Sequence, residues 1–261
     1  MFEPPLDLNG ARILFVNADG IRATGLKALE QIAKSFSKDV WVFAPEEEQS
    51  GAGHSLSLYK PVRVSRISTR RFAVGGSPTD CVMMALTEYM SDKRPDLVLS
   101  GVNRGQNLGD DVTYSGTVAG ALEATLLGIP AIPMSEKASG VKVQFKTAET
   151  LAPSVIKKLL REKWPADVFM NVNFPDVPAK AVSGVSIVPE GRRKSEYNPH
   201  EMQDPRRQDQ CYIIGNAIEG QHVGRKDTDY KAIERGEISI TPLHCDLTHY
   251  GALRSLSKSF G

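Results

Sequence analysis

The carboxylate of Asp19, the hydroxyl of Ser50 and the side-chain amide of Asn103 lie in three separate polar clusters. These are Asn17-Ala18-Asp19-Gly20, Glu46 to Ser55 (EEEQSGAGHS), and Ser100 to Ser115 (SGVNRGQNLGDDVTYS). Together they offer an oxygen-rich donor set, and hard divalent cations such as Mg²⁺ or Mn²⁺ prefer oxygen ligands. Ser115-Gly116-Thr117 then opens a predicted helix that has no acid in its first turn. Free backbone N–H groups and the helix dipole make such a terminus an oxyanion or phosphate site, and a glycine lets the anion come close. Each cluster also has a plainer reading. Asn-Ala-Asp-Gly is a turn on backbone grounds alone, a Ser-Gly pair is common in loops, and Ser and Thr cap helices generally.

Other chemistries find less support. No Walker sequence is present, and no G-x-G-x-x-G follows a strand, which argues against kinase and dehydrogenase readings. A G-x-S-x-G nucleophile elbow is also missing. His54 lies in the glycine-rich loop near the proposed site, whereas His200, His222, His244 and His249 fall in the second half without metal-ligand spacing. The 32 Lys and Arg against 31 Asp and Glu leave a net charge of +1, so no nucleic acid polymer is expected as a partner. No apolar run is long enough to span a bilayer. Cys81, Cys211 and Cys245 are too few and too scattered for a disulfide framework and read as reduced thiols. The opening stretch MFEPPLDLNG lacks the basic and apolar regions of a signal peptide. A cytoplasmic location follows as the expectation.

Strands alternating with amphipathic helices must position these clusters. Ala11 to Val16 reads as a strand buried on both faces and Val40 to Ala44 as a further strand, with a helix over Thr24 to Phe36 between them. Leu56 to Ile67 and Arg71 to Val74 read as extended segments forming a hairpin at a sheet edge. Ser77-Pro78-Thr79-Asp80 is a capping box opening a helix to about Tyr89. Asp96 to Ser100 is the next strand, Ser115 to Leu127 a helix ended by Gly128, and Ala131 to Met134 another strand. In the second half, Leu151 to Leu160 reads as a helix with Pro153 in its first turn. Val168 to Val172 and Val185 to Val188 read as strands, Thr228 to Arg235 as a short helix, Ile238 to Thr241 as a strand and Leu247 to Phe260 as a last helix. Gly191 to Gln210 is polar and aperiodic, too long for an idle loop. This βα alternation predicts an α/β domain of Rossmann-like three-layer type with a mostly parallel sheet, spanning 1–261, with 191–225 as an oligomerisation excursion. The three polar clusters follow predicted strands, where such folds bind ligands.

The motifs also occur in a specific order. Asn17-Ala18-Asp19-Gly20, Gln49-Ser50-Gly51, Ser100-Gly101-Val102-Asn103 with Gly105 and Asn107, and Tyr114-Ser115-Gly116-Thr117 come first. Pro78-Thr79-Asp80-Cys81, Asn171-Val172-Asn173-Phe174-Pro175, Thr228-Asp229 and Ser239-Ile240-Thr241-Pro242-Leu243 complete the set. Running from about Arg12 to Leu243, it resembles the survival protein E (SurE) family of 5′/3′-nucleotidases. The resemblance implies divalent-metal-dependent hydrolysis of phosphate monoesters, chiefly nucleoside monophosphates, in a homodimer or homotetramer. It places one Mg²⁺ or Mn²⁺ per subunit on Asp19, Ser50 and Asn103, with Asp19 also the catalytic carboxylate. It places phosphate and substrate contacts on Asn17, Gly51, Asn103, Gly105, Asn107, Ser115, Gly116 and Thr117. One position departs from the family pattern. Ala18 stands where the first of two adjacent aspartates is expected, which removes an anionic donor and is expected to weaken the metal. Two other readings remain open at this point: a non-catalytic nucleotide- or phosphate-binding paralogue, and an interaction protein working through the Gly191 to Gln210 loop.

Overall fold

A computed structural model describes residues 6–138, 140, 143–193, 199–203, 206, 210–215, 222–223 and 226–260. The chain begins with β1 (Arg12–Val16), α1 (Thr24–Ala33), β2 (Asp39–Pro45), β3 (Val64–Ser68), β4 (Arg71–Val74) and α2 (Pro78–Met84), which runs into a wider helical turn at Ala85–Tyr89. It continues through β5 (Leu97–Arg104), α3 (Gly116–Leu126), β6 (Ala131–Glu136), α4 (Lys146–Leu159), β7 (Val168–Phe174) and β8 (Val185–Ile187). The remaining elements are β9 (Arg192–Arg193), β10 (His200–Gln203), β11 (Gln210–Ile213), β12 (His222–Val223), α5 (Asp229–Glu234), β13 (Ile238–His244) and α6 (Tyr250–Phe260).

Nine strands form one sheet in the order β3-β4-β2-β1-β5-β6-β7-β13-β8. The pairs from β4 through β7 are all parallel, while β3 and β13 run antiparallel to their inner neighbours β4 and β7. Alternate residues of β1 separate two cores, because successive side chains of a strand face opposite ways. Ile13 and Phe15 join Leu26 and Leu29 of α1 and Ala152 and Ile156 of α4. Leu14 and Val16 join Cys81 and Val82 of α2 and Val118 and Ala121 of α3. The sheet is therefore covered on both faces, the Rossmann-like sandwich that the alternation predicts. After β1 the chain crosses to β2 on one side and later to β5 on the other, so the carboxyl ends of β1 and β5 form the switch point where open α/β sheets bind ligands.

Several sequence expectations need correction. The helix expected over Leu151 to Leu160 starts earlier, at Lys146, so Pro153 lies inside it and not in its first turn. Its N-cap is Phe145 at φ 54°, with no side-chain cap, so the usual start signals are missing. The edge hairpin exists as the β3/β4 pair, but Leu56 to Pro61 adds no strand to it. β5 continues past Ser100 to Arg104, and β6 past Met134 to Glu136. The Gly191 to Gln210 stretch is not structureless where it is described. β10 pairs with β11, and β9 with β12, in two antiparallel ribbons outside the main sheet. Of the excursion over 191–225, residues 194–198, 204–205, 207–209, 216–221 and 224–225 lie outside the described residues.

Candidate functional site

Four loops meet at the switch point. The turn after β1 is closed by Asn17, whose Nδ2 donates to Gly20 O at 2.9 Å, with Gly20 at φ 98° where an L side chain is strained. Asn17 is 1% exposed, and its Oδ1 has no partner among the described residues. The loop after β2 is bonded to this turn through Gln49 N–H, which donates to Ala18 O at 2.8 Å. That loop in turn holds the start of α3, because Gly53 N–H donates to Tyr114 O at 3.0 Å.

The end of β5 is shaped by a bulge. Its register against β6 shifts between Ser100 and Asn103, opposite Pro133, a residue that cannot donate to a ladder. Gly101 sits at φ 130°, and a Cβ there would lie 2.3 Å from Met134 O, so the bulge requires glycine. A Cβ on Gly25 would lie 1.9 Å from Val102 O, which seats α1 directly on the bulge. Beyond it, Arg104 N–H donates to Asp19 Oδ2 at 3.3 Å, while Asn103 Oδ1 accepts the hydroxyl of Thr117 at 3.2 Å and its Nδ2 donates to Gly105 O. Asp19, Asn103 and the first turn of α3 are thereby brought together.

α3 opens with an N-terminus free of acidic side chains. Ser115 is the N-cap, its Oγ accepting from Val118 N–H at 3.1 Å, and no acid occupies the first turn. That leaves the N–H groups of Gly116 and Thr117 as the helix's free donors, since the first turn has no intrahelical acceptors. Ala18 faces this terminus, its Cβ 3.1 Å from where a Cβ on Gly116 would stand. The methyl group of Ala18 therefore lines the wall beside the helix start.

Burial pushes the Asp19 carboxyl up to about 6; the Arg104 N–H opposes this, and the charge of Glu48 adds to it. A half-buried carboxylate with one long hydrogen bond suits a cation ligand. Among the described residues no three His, Cys, Asp or Glu side chains gather as a metal-holding group. A hard cation held beside Asp19 would take hydroxyl and amide oxygens as its other protein donors. Ser50 Oγ donates to Glu48 Oε1 at 2.7 Å, which leaves its lone pairs free.

Two other sequence candidates are placed differently. Gly51, at φ 79° and exposed, serves the turn between Gln49 and Gly53. Asn107 is built into the sheet: its N–H donates to Asn173 Oδ1, its Nδ2 to Ser135 Oγ, and its carbonyl accepts from Asn171 and Asn173. Asp229 grips the same loop from the other side, accepting from Gly109 N–H at 2.7 Å and from Gly191 N–H at 2.8 Å. Asn107 and Asp229 thus hold the loop that carries Gly105. His54 Nε2 lies 2.8 Å from Glu123 Oε2 and braces the glycine-rich loop against α3.

Sequence reasoning assigned no role to Glu48 and none to Asp229. Glu48 is hidden inside an acidic run that reads as a solvated surface, and its two-residue spacing from Ser50 was the available signal. Asp229 sits in a motif, but its partners are far away in the chain.

Comparison with known proteins agrees with this fold. Residues 13–197 match the family described as "Survival protein SurE". The chain is 49% identical over 260 residues to the 5′-nucleotidase SurE of Paramagnetospirillum magneticum, covering 99% of each. It is 46% identical over 264 residues to that of Rhodospirillum rubrum, covering 100% of each. The crystal structure of the SurE protein from Aquifex aeolicus superposes with a TM-score of 0.82 at 37% identity, over 96% of this chain and 100% of that one. With more than half its length matched by the family and near-complete relatives at almost half identity, the chain belongs to the SurE family.

Proposed function

We propose that the protein is a phosphomonoesterase of 5′/3′-nucleotidase type, acting on nucleoside monophosphates or closely related small phosphate esters with a divalent cation, Mg²⁺ or Mn²⁺. The observation that carries this reading is the meeting of Asp19, Asn103 and the free N-terminus of α3 at the switch point of the sheet. Asp19, Ser50 and Asn103 would hold the cation, which when bound polarises a phosphoryl oxygen.

The protein's own groups supply the rest. The N–H donors of Gly116 and Thr117 and the Ser115 hydroxyl receive the phosphoryl oxygens, aided by the helix dipole. The Thr117 hydroxyl holds Asn103 in place. Asp19 is the carboxylate positioned to orient an attacking water and take its proton. Asn107 acts through the position of Gly105 and not as a direct phosphate contact. The working state is a homodimer or homotetramer, supported by the exposed apolar residues of α6 and of the β10/β11 ribbon. No helix among the described residues is long and apolar enough to cross a membrane, and a cytoplasmic location belongs to the same proposal.

The test is release of inorganic phosphate from AMP, GMP or a chromogenic phosphate ester, with and without Mg²⁺ or Mn²⁺. Metal-stimulated turnover is expected, and Ala18→Asp should raise it by about tenfold or more as the second carboxylate returns. If neither form turns over, the reading fails. Ala18 itself favours a second reading, a nucleotide-binding paralogue without turnover. Calorimetry separates the two, because tight AMP binding that ignores the metal belongs to the binder alone.

A further inference from the structure

We infer that Glu48 serves as the second carboxylate of the cation site, standing in for the acidic side chain that position 18 lacks. This rests on reading Asp19, Ser50 and Asn103 as the cation's ligands. The loop carrying Glu48 is hydrogen-bonded to the deficient residue itself, through Gln49 N–H and Ala18 O at 2.8 Å. Glu48 is the residue next to that bond in the chain.

Its carboxylate accepts the Ser50 hydroxyl proton at 2.7 Å. A hydroxyl that gives its proton to a carboxylate turns its lone pairs elsewhere and becomes a better donor toward a cation, as outer carboxylates do for metal ligands generally.

One alternative within the acidic run is already engaged. Glu46 points to β3, where it accepts from Ser65 Oγ at 3.2 Å and meets Arg63 at 3.6 Å. Glu48 forms no ion pair among the described residues, so none of them neutralises its charge. Being exposed, it reaches a hydrated cation without the burial penalty that a new internal carboxylate would carry.

The experiment is a double-mutant cycle read by Mn²⁺ binding, with calorimetry and with the paramagnetic signal of free Mn²⁺, on the intact protein. Glu48→Gln in the chain as it stands should weaken Mn²⁺ by roughly tenfold, the effect expected of a carboxylate supporting a metal ligand. Glu47→Gln, one residue away, should change it less than about twofold. In the Ala18→Asp background, Glu48→Gln should cost about threefold or less, because the restored aspartate makes it redundant.

An unchanged Mn²⁺ affinity in Glu48→Gln overturns the inference, as does an equal loss in both backgrounds. Asp19→Asn distinguishes this failure from that of the site. If Asp19→Asn abolishes binding while Glu48→Gln does not, only the role of Glu48 falls. If Asp19→Asn leaves Mn²⁺ binding intact, or the parent binds no Mn²⁺, the cation site falls with it. Should Ala18→Asp fail to fold, the Glu48→Gln and Glu47→Gln pair still decides, since equal losses in those two overturn the inference.

Discussion

Glu136 ends β6 with a carboxylate only 5% exposed, and its recorded partner is the Ala148 N–H of α4, at 2.7 Å. Burial pushes it up to about 7; the Ala148 N–H opposes this, while Asp176 and Glu149 add to it. Its ordinary value is 4.5, so the fold holds the proton more tightly than the unfolded chain does. The stability this contributes is fully present below about 4.5 and is lost as pH rises through about 7. Glu136→Gln keeps an acceptor for Ala148 without the charge. Denaturation across pH 5 to 8 should show the two proteins converging at the acid end, with the Gln form more stable by about 1–3 kcal/mol at pH 8. Convergence at the alkaline end would refute the assignment. The effect matters to the site because Glu136 O also accepts Gly105 N–H at 2.9 Å. Nothing in the sequence marks Glu136, since its isolation arises only when α4 folds over the strand end.

Elements differ in how openly their sequences declare them. The capping box at Ser77 and Asp80 is a local code, and both of its hydrogen bonds form. What the sequence does not display is that Asp80 also accepts from Ser57, through its backbone N–H at 2.9 Å and its hydroxyl at 2.8 Å. The cap of α2 therefore anchors the far end of the loop that carries Ser50. Asp80→Ala leaves the buried Ser77 N–H and the Ser57 N–H without acceptors, which should destabilise the protein by about 2–4 kcal/mol in denaturant titration. Asp80→Asn retains one acceptor oxygen and should lose less. α4 is the opposite case: its cap is a backbone conformation at Phe145, and the interior Pro153 argues falsely for a later start. The end of β5 is hidden in the sequence for a related reason. The polar Ser100 to Arg104 reads as loop, whereas a bulge lets those residues remain in the strand while Asn103 turns to Thr117.

At the scale of the whole molecule, the site and the assembly surface were not equally readable. The meeting of the polar clusters after β1, β2 and β5 was legible because parallel sheets gather such groups at strand ends. The assembly surface depends on which apolar residues the fold leaves uncovered, and only the packed chain decides that. α6 buries none of its residues, yet Tyr250, Leu253, Leu256 and Phe260 recur at helical spacing and are 51%, 49%, 56% and 89% exposed. An isolated helix of this length is marginal in water without an apolar face to pack on. A second copy of the chain is the covering that the proposed oligomer supplies. Leu253→Glu combined with Leu256→Glu places two charges on this stripe without touching any buried contact of the subunit. In light scattering the parent should show at least twice the 28.5 kDa chain mass, and the double variant should fall toward a single chain. Its melting temperature should then become independent of protein concentration, because association no longer contributes to stability. A variant that keeps the parent's mass would move the interface to the β10/β11 ribbon, where Met202, Tyr212 and Ile213 are also exposed.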